Sequence, residues 1–169
     1  MPTTFRLRVW TRFLAPVDEV WKLKTDPAAL ACESAPYLRL RVKQPDQFDQ
    51  MMSGENREPV EAKLCLLGLP VGLPYKGQLI EYSSGEYFRD EGRTPLYTQF
   101  EHGHFFEETP DGTRYIDEVV FTPALPMAKL SAVLTEKLFV HRHKVAAERL
   151  PTDIKATGVS VLRVADTSL

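Results

Sequence analysis

Cysteine is nearly absent from this chain: Cys32 and Cys65 are the only two in 169 residues, and they lack metal-type spacing. A disulfide framework is improbable on that count. A reducing compartment is the simpler setting, and both thiols read as small packed hydrophobes. Long apolar runs are missing as well. The most apolar stretch, Leu64 to Leu73, is interrupted by Gly68, Pro70 and Gly72, and falls far short of the roughly 20 residues that cross a bilayer. At the start, Met1-Pro2-Thr3-Thr4-Phe5-Arg6-Leu7-Arg8 sets arginines where a secretory signal needs an apolar segment. No membrane insertion is expected, and a soluble, cytoplasmic protein follows. Charge of one sign is also lacking. The formal net charge is -2, with Lys and Arg scattered along the chain, which leaves a nucleic-acid groove without a basis. No Gly-rich phosphate loop occurs, and Ser131 stands outside any Gly-x-Ser-x-Gly context, so nucleophilic serine chemistry has no support.

What is present is the composition of one globular domain, 43% hydrophobic and 26% charged, able to bury roughly 70% of its unfolded surface. Phe5, Leu7, Val9 and Phe13 alternate with Arg6, Arg8 and Arg12, the period of a strand with one buried face. Pro16 opens a helix with Asp18 and Glu19 in its first turn, and Asp26-Pro27 ends it or starts a second. Tyr37 to Val42 alternates again, and the polar stretch from Gln44 to Pro59 reads as a loop or flap. Its Met51 and Met52 could line an opening, and Glu55, Arg57 and Glu58 could gate it. Strands are predicted near Val60 to Leu67, Leu73 to Tyr82, Glu86 to Asp90, Leu96 to Glu107 and Thr113 to Thr122, with turns at Ser83-Ser84-Gly85 and Pro110-Asp111-Gly112. From about Ala124 to Leu150 the pattern is helical, with Leu130, Leu134, Leu138, His141 and Val145 on one stripe. Pro151 stops this helix. Residues 1–150 thus read as one domain, and 151–169 as a C-terminal tail, an arm or a disordered segment. The order of elements predicts an α+β fold: a curved antiparallel sheet wrapped around a long C-terminal helix, with a cavity between them.

The residues then show a resemblance. Phe13-Leu14-Ala15-Pro16-Val17-Asp18-Glu19-Val20-Trp21 looks like the strand-to-helix junction of the SRPBCC superfamily of helix-grip domains, which includes START-like lipid binders and polyketide cyclase-like proteins. Phe88-x-Asp90, Phe100-x-His102-x-His104-x-Phe106, Gly112-Thr113 and Asp117-x-Val119-x-Phe121 resemble a bacterial branch of it, with Phe100 for that branch's Trp and Phe121 for its Tyr. The resemblance runs from about Phe5 to Leu150. It implies the helix-grip fold and a small hydrophobic ligand, lipid or polyketide-like, while only some members catalyse.

Strand alternation puts Phe100, His102, His104 and Phe106 on one face. A turn centred on Pro110-Asp111 sets Phe106 opposite Tyr115, His104 opposite Asp117, His102 opposite Val119 and Phe100 opposite Phe121, and a one-residue slip would spoil the hydrophobic match. Three readings of the His104–Asp117 pair stay open. The groups satisfy one another inside a core. Or His102 or His104 hydrogen-bonds a ligand that Phe100 and Phe106 pack, with His141 reaching the cavity from the helix while His143 is solvated. Or His104, with Asp117 behind it, is a general base in a cyclase or aromatase-type reaction, and His102 and His104 as zinc ligands lack a visible third. No metal or cofactor is assigned. A third functional class is an interaction module with a filled core.

Overall fold

The computed structural model describes residues 2–67, 72–124 and 128–164. Strand β1 (Thr4–Phe13) buries Phe5, Leu7, Val9, Thr11 and Phe13 and exposes Arg6 and Arg8, the expected alternation. Helices α1 (Val17–Thr25) and α2 (Pro27–Ser34) follow. Asp26 divides them: its carboxylate accepts from the Ala28 N–H at 2.9 Å, and Pro27 takes the first helical position. Then come β2 (Leu38–Val42), α3 (Pro45–Met52), β3 (Val60–Leu66), β4 (Leu73–Ser83), β5 (Tyr87–Arg93), β6 (Tyr97–Thr109), β7 (Gly112–Pro123), α4 (Ala128–Ala147) and β8 (Thr152–Val164). The strands form one eight-stranded antiparallel sheet in the order β2-β3-β4-β5-β6-β7-β1-β8. Helix α4 lies against β1, β7 and α2. This is the α+β helix-grip architecture. Among the described residues no helix is long and apolar enough to cross a membrane.

The β6–β7 hairpin holds the register expected from its turn: Phe100 faces Phe121, His102 Val119, His104 Asp117 and Phe106 Tyr115. Gly112 closes that turn with φ +149, and a Cβ there would strike the carbonyl oxygen of Phe13. Only glycine lets the hairpin lie so close to the end of β1.

Four expectations are corrected. The polar stretch 44–59 contains α3, which tucks Phe48 and Met51 into the core, so these residues face inward rather than lining an opening. Pro45 at the helix start and Asp46 in its first turn favour it. The buried stripe of α4 is Ala132, Thr135, Phe139, Arg142, His143 and Ala146, while Leu130 and Leu134 are exposed. Residues 152–164 are an ordered strand, β8, which extends the sheet beyond β1 and lays Gly158 opposite Trp10; residues 165–169 lie outside the described residues. Of the two thiols, Cys65 is buried but Cys32 is exposed.

The buried side chains divide into two apolar clusters, one around Phe13, Val20, Phe88, Phe106, Tyr115 and Ala146, the other around Phe5, Leu7, Val119, Phe121, Ala132 and Phe139. Along every element that crosses the core, the change of cluster is marked by buried polar residues. On β1 it is Thr11, on β6 His102 and His104, on β7 Asp117, and on α4 Arg142 and His143. A polar layer therefore cuts the hydrophobic core in two.

Candidate functional site

Four adjacent strands, β5, β6, β7 and β1, build this layer together with α4. Alternation on β6 points His102 and His104 inward, β5 places Asp90 opposite His102 and Phe88 opposite His104, and β7 supplies Asp117. Asp117 has no exposed surface and gathers three imidazoles. It accepts from His102 Nε2 at 2.9 Å on Oδ1 and from His143 Nε2 at 3.1 Å on Oδ2. His104 Nδ1 lies 3.1 Å from the same Oδ1, and the Tyr115 hydroxyl also donates to it. A carboxylate oxygen accepts only, so each nitrogen facing it carries its proton. His104 Nδ1 further donates to the Tyr115 oxygen at 2.6 Å, and His143 Nδ1 accepts from the Thr11 hydroxyl at 2.8 Å. The rings are packed by aromatics: His104 stacks on Phe88 at 3.9 Å, and His102 meets Phe139 edge-on at 4.9 Å.

A second buried group adjoins. Lys24 Nζ and Glu33 Oε2 are 2.7 Å apart with side chains almost fully out of water, and Lys24 sits 4.5 Å from the Tyr115 ring centroid. Arg142 Nε comes no nearer than 3.8 Å to Glu33 Oε2, and that Nε and Glu33 Oε1 are both buried without a hydrogen-bond partner.

Burial alone would raise the Asp117 carboxyl, yet the charges of His102 and Arg142 and the hydrogen bonds from His102 and His104 hold it well below the usual carboxylate range. Desolvation, reinforced by the charge of His102, pushes His104 well below the usual imidazole range against the pull of Asp117. Desolvation likewise lowers His143, and raises the Tyr115 phenol and the Asp90 carboxyl. The layer thus holds one firmly ionised carboxylate, with His104 and His143 pushed toward their neutral forms.

A family model described as a domain of unknown function, DUF8410, matches residues 11–150. The chain belongs to the DUF8410 family. The match takes in every side chain of the polar layer, from Thr11 to His143, and leaves out β8. No curated protein matches the chain. Solved structures similar to this DUF8410 chain include a Chromobacterium violaceum protein, 16% identical with a TM-score of 0.66 over 88% of this chain and 98% of that one. A Thermus thermophilus protein is 16% identical with a TM-score of 0.63 over 85% and 95%. The Streptomyces aromatase/cyclase Zhui is 10% identical with a TM-score of 0.64 over 86% and 93%. At these identities the likeness is one of fold.

Of the residues the sequence nominated, His102, His104, Phe106 and Asp117 meet in the DUF8410 core, and Phe100 borders it from the second cluster. His141 does not join them: it bonds the Ala35 carbonyl at 2.6 Å and meets the Tyr37 ring edge-on. Its neighbour His143 takes the inward place. Two residues are a 200° step around a helix, so the two cannot share a face. Lys24, Glu33, Asp90 and Arg142 went unrecognised as members of the site, although Asp90 lies within the quoted Phe88-x-Asp90 element. The signal for Arg142 and His143 was their spacing of three and four from Phe139.

A recess of about 450 Å³ lies outside the space between sheet and helix, bordered by Arg12, Leu14, Asp111, Thr152, Asp153 and Lys155. Inside that space, Tyr75 rests over Gly77 and Gly92, where an added Cβ would stand 3.0 and 2.9 Å from its ring. Donor atoms of Asp90, His102 and His104 all lie within 4.8 Å of one another.

Proposed function

We propose that this protein is an SRPBCC-type binder of a small molecule with an apolar or aromatic body and one hydrogen-bond-accepting group, held between the inner face of the sheet and α4. The observation that carries this reading is Arg142, a guanidinium with only 8% of its side chain exposed and its Nε unpartnered. A buried donor without an acceptor costs about 1–3 kcal/mol, more when charged, and a ligand carbonyl, carboxylate or phenolate would recover it. Glu33 Oε1 offers the complementary acceptor beside it. Phe100, Phe139 and Tyr75 supply the apolar lining such a ligand needs. Native mass spectrometry of freshly purified protein tests this, followed by fluorescence titration with polycyclic phenols and fatty acids. A bound small molecule, or saturable binding that Arg142→Gln weakens at least tenfold, is the expected result. Bare protein together with no saturable binding by either class overturns it.

A second reading is favoured by the state of His104. Its Nδ1–H is tied to Asp117 and Tyr115 and its ring is held neutral, which leaves Nε2 with a free lone pair, the arrangement of a general base. Proton transfer on a polyketide-like substrate, of the cyclase or aromatase kind, would use that nitrogen. His104→Gln then abolishes turnover while ligand binding survives, and equal turnover in the variant excludes this reading.

A further inference from the structure

Both imidazoles on β6 turn one nitrogen to Asp117, which leaves the other nitrogen of each ring to face elsewhere. His102 gives its Nε2–H to Asp117, and its Nδ1 faces Asp90 Oδ1 at 3.9 Å. That separation is too long for a hydrogen bond, and a cation set between the nitrogen and the carboxylate would engage both. His104, whose Nδ1–H is likewise engaged, has only Nε2 left to offer. We propose that Asp90, His102 and His104 form a binding site for a divalent transition-metal ion of zinc's class, with Asp117 fixing both imidazoles from behind.

Each part of this arrangement has a chemical reason. Imidazole nitrogen and carboxylate oxygen are zinc donors at about 2.0–2.2 Å. Bonds of that length set ligand atoms roughly 3.3–3.6 Å apart at tetrahedral angles, so the 3.9 Å between His102 Nδ1 and Asp90 Oδ1 closes with a small side-chain rotation. A carboxylate hydrogen-bonded to the far nitrogen of a histidine ligand sets its tautomer and orientation, and Asp117 does this for two histidines at once. Asp90 keeps 18% of its side chain exposed while both histidines are nearly dry, which gives the ion a way in. Three protein donors leave the fourth position for water or for a ligand's polar group. Asp90 is the third donor that the sequence left unseen, because it lies on β5, opposite His102, and not on β6. The competing occupant is a proton shared by His102 and Asp90.

The site coincides with the one proposed for an organic ligand but is argued independently of it, so the two are tested apart: the ligand titrations use chelator-treated protein, and the metal titrations contain no organic ligand. Chelator-treated protein is titrated with Co²⁺ and followed by visible absorption, with metal content measured after desalting. The expected result is one equivalent of Co²⁺ with the intense bands of a four-coordinate ion, displaced by Zn²⁺. Asp90→Asn and His104→Ala each lower the affinity at least 100-fold, Asp117→Asn lowers it about 10–100-fold, and His141→Ala leaves it unchanged. Because the buried variants can lose their fold, the wild-type protein is also read by imidazole ¹⁵N spectra: Zn²⁺ moves His102 Nδ1 and His104 Nε2 and leaves His141 in place. No stoichiometric binding, binding equal in a folded Asp90→Asn variant, or a His102 that stays doubly protonated under saturating Zn²⁺ overturns the proposal.

Discussion

His143 of α4 and Asp117 of β7 are joined at 3.1 Å, Nε2 to Oδ2, with neither side chain reaching solvent. This one contact ties the long helix to the sheet by a polar bond in the middle of the core. It also explains why α4 turns a face of small and ionisable residues inward. The carboxylate on β7 needs donors, and from α4 His143 supplies a hydrogen bond and Arg142 a positive charge. Leucines at positions 130 and 134 are left outside as the consequence.

Asp117→Ala strands three imidazoles and a phenol that now share its oxygens. Removing one member of a buried charged network costs about 3–5 kcal/mol. Urea unfolding should show a loss of that size, whereas a loss under about 1 kcal/mol would mean that the network carries little of the fold.

Acid should destabilise the metal-free protein in two stages. His104 and His143 are depressed from their ordinary 6.5, so their contribution is complete above that pH. It is lost as pH falls toward their folded values, because the unfolded chain takes up protons first. Asp117, depressed from 3.8, adds a further loss below that value. Asp90, raised by burial, works in the opposite direction and offsets part of it. Urea midpoints measured in chelator from pH 8 to pH 4 should be level at first and then decline below about 6.5; a rise on acidification contradicts the assignment.

Gly112→Ala and Gly85→Ala both place a side chain at positive φ, +149 and +79. At Gly85 nothing lies within 4 Å of the new Cβ, whereas at Gly112 it meets the Phe13 carbonyl and the Leu14 and Ala15 backbone. Gly85→Ala should cost about 1 kcal/mol and Gly112→Ala clearly more, as thermal unfolding of the pair would show.

Truncation after Leu150 removes β8 and turns β1 into an exposed edge with Trp10 uncovered. An unprotected edge next to a bared aromatic favours aggregation. Size-exclusion chromatography should find the 1–150 fragment aggregated or far less stable than the full chain, and a monomer of unchanged melting temperature would deny β8 a structural part.

Much of the β6–β7 hairpin was legible in the sequence, because a two-residue Pro110-Asp111 loop leaves one register that matches aromatic to aromatic across Phe100 and Phe121. The strand-to-helix junction and the α+β architecture were legible for the same reason, since period and turn chemistry are local. The α4 face was not. Reading it by apolarity selects Leu130, Leu134 and Leu138, whereas the buried face is chosen by a carboxylate on a strand distant in sequence. Edge strand β8 escaped notice because it is polar and half exposed, with Lys155, Thr157, Gly158 and Ser160 along it. The site was half legible: His102, His104 and Asp117 lie on two strands joined by one turn, but Asp90, Lys24, Glu33 and Arg142 reach it only through tertiary packing.

The most direct test of the polar layer is the imidazole ¹⁵N spectrum of the metal-free protein at pH 7. The account predicts three histidines with a proton fixed toward Asp117, on Nε2 of His102 and His143 and on Nδ1 of His104, and all three patterns collapsing together in Asp117→Asn. A His143 or His104 that exchanges freely between tautomers as in water would contradict it.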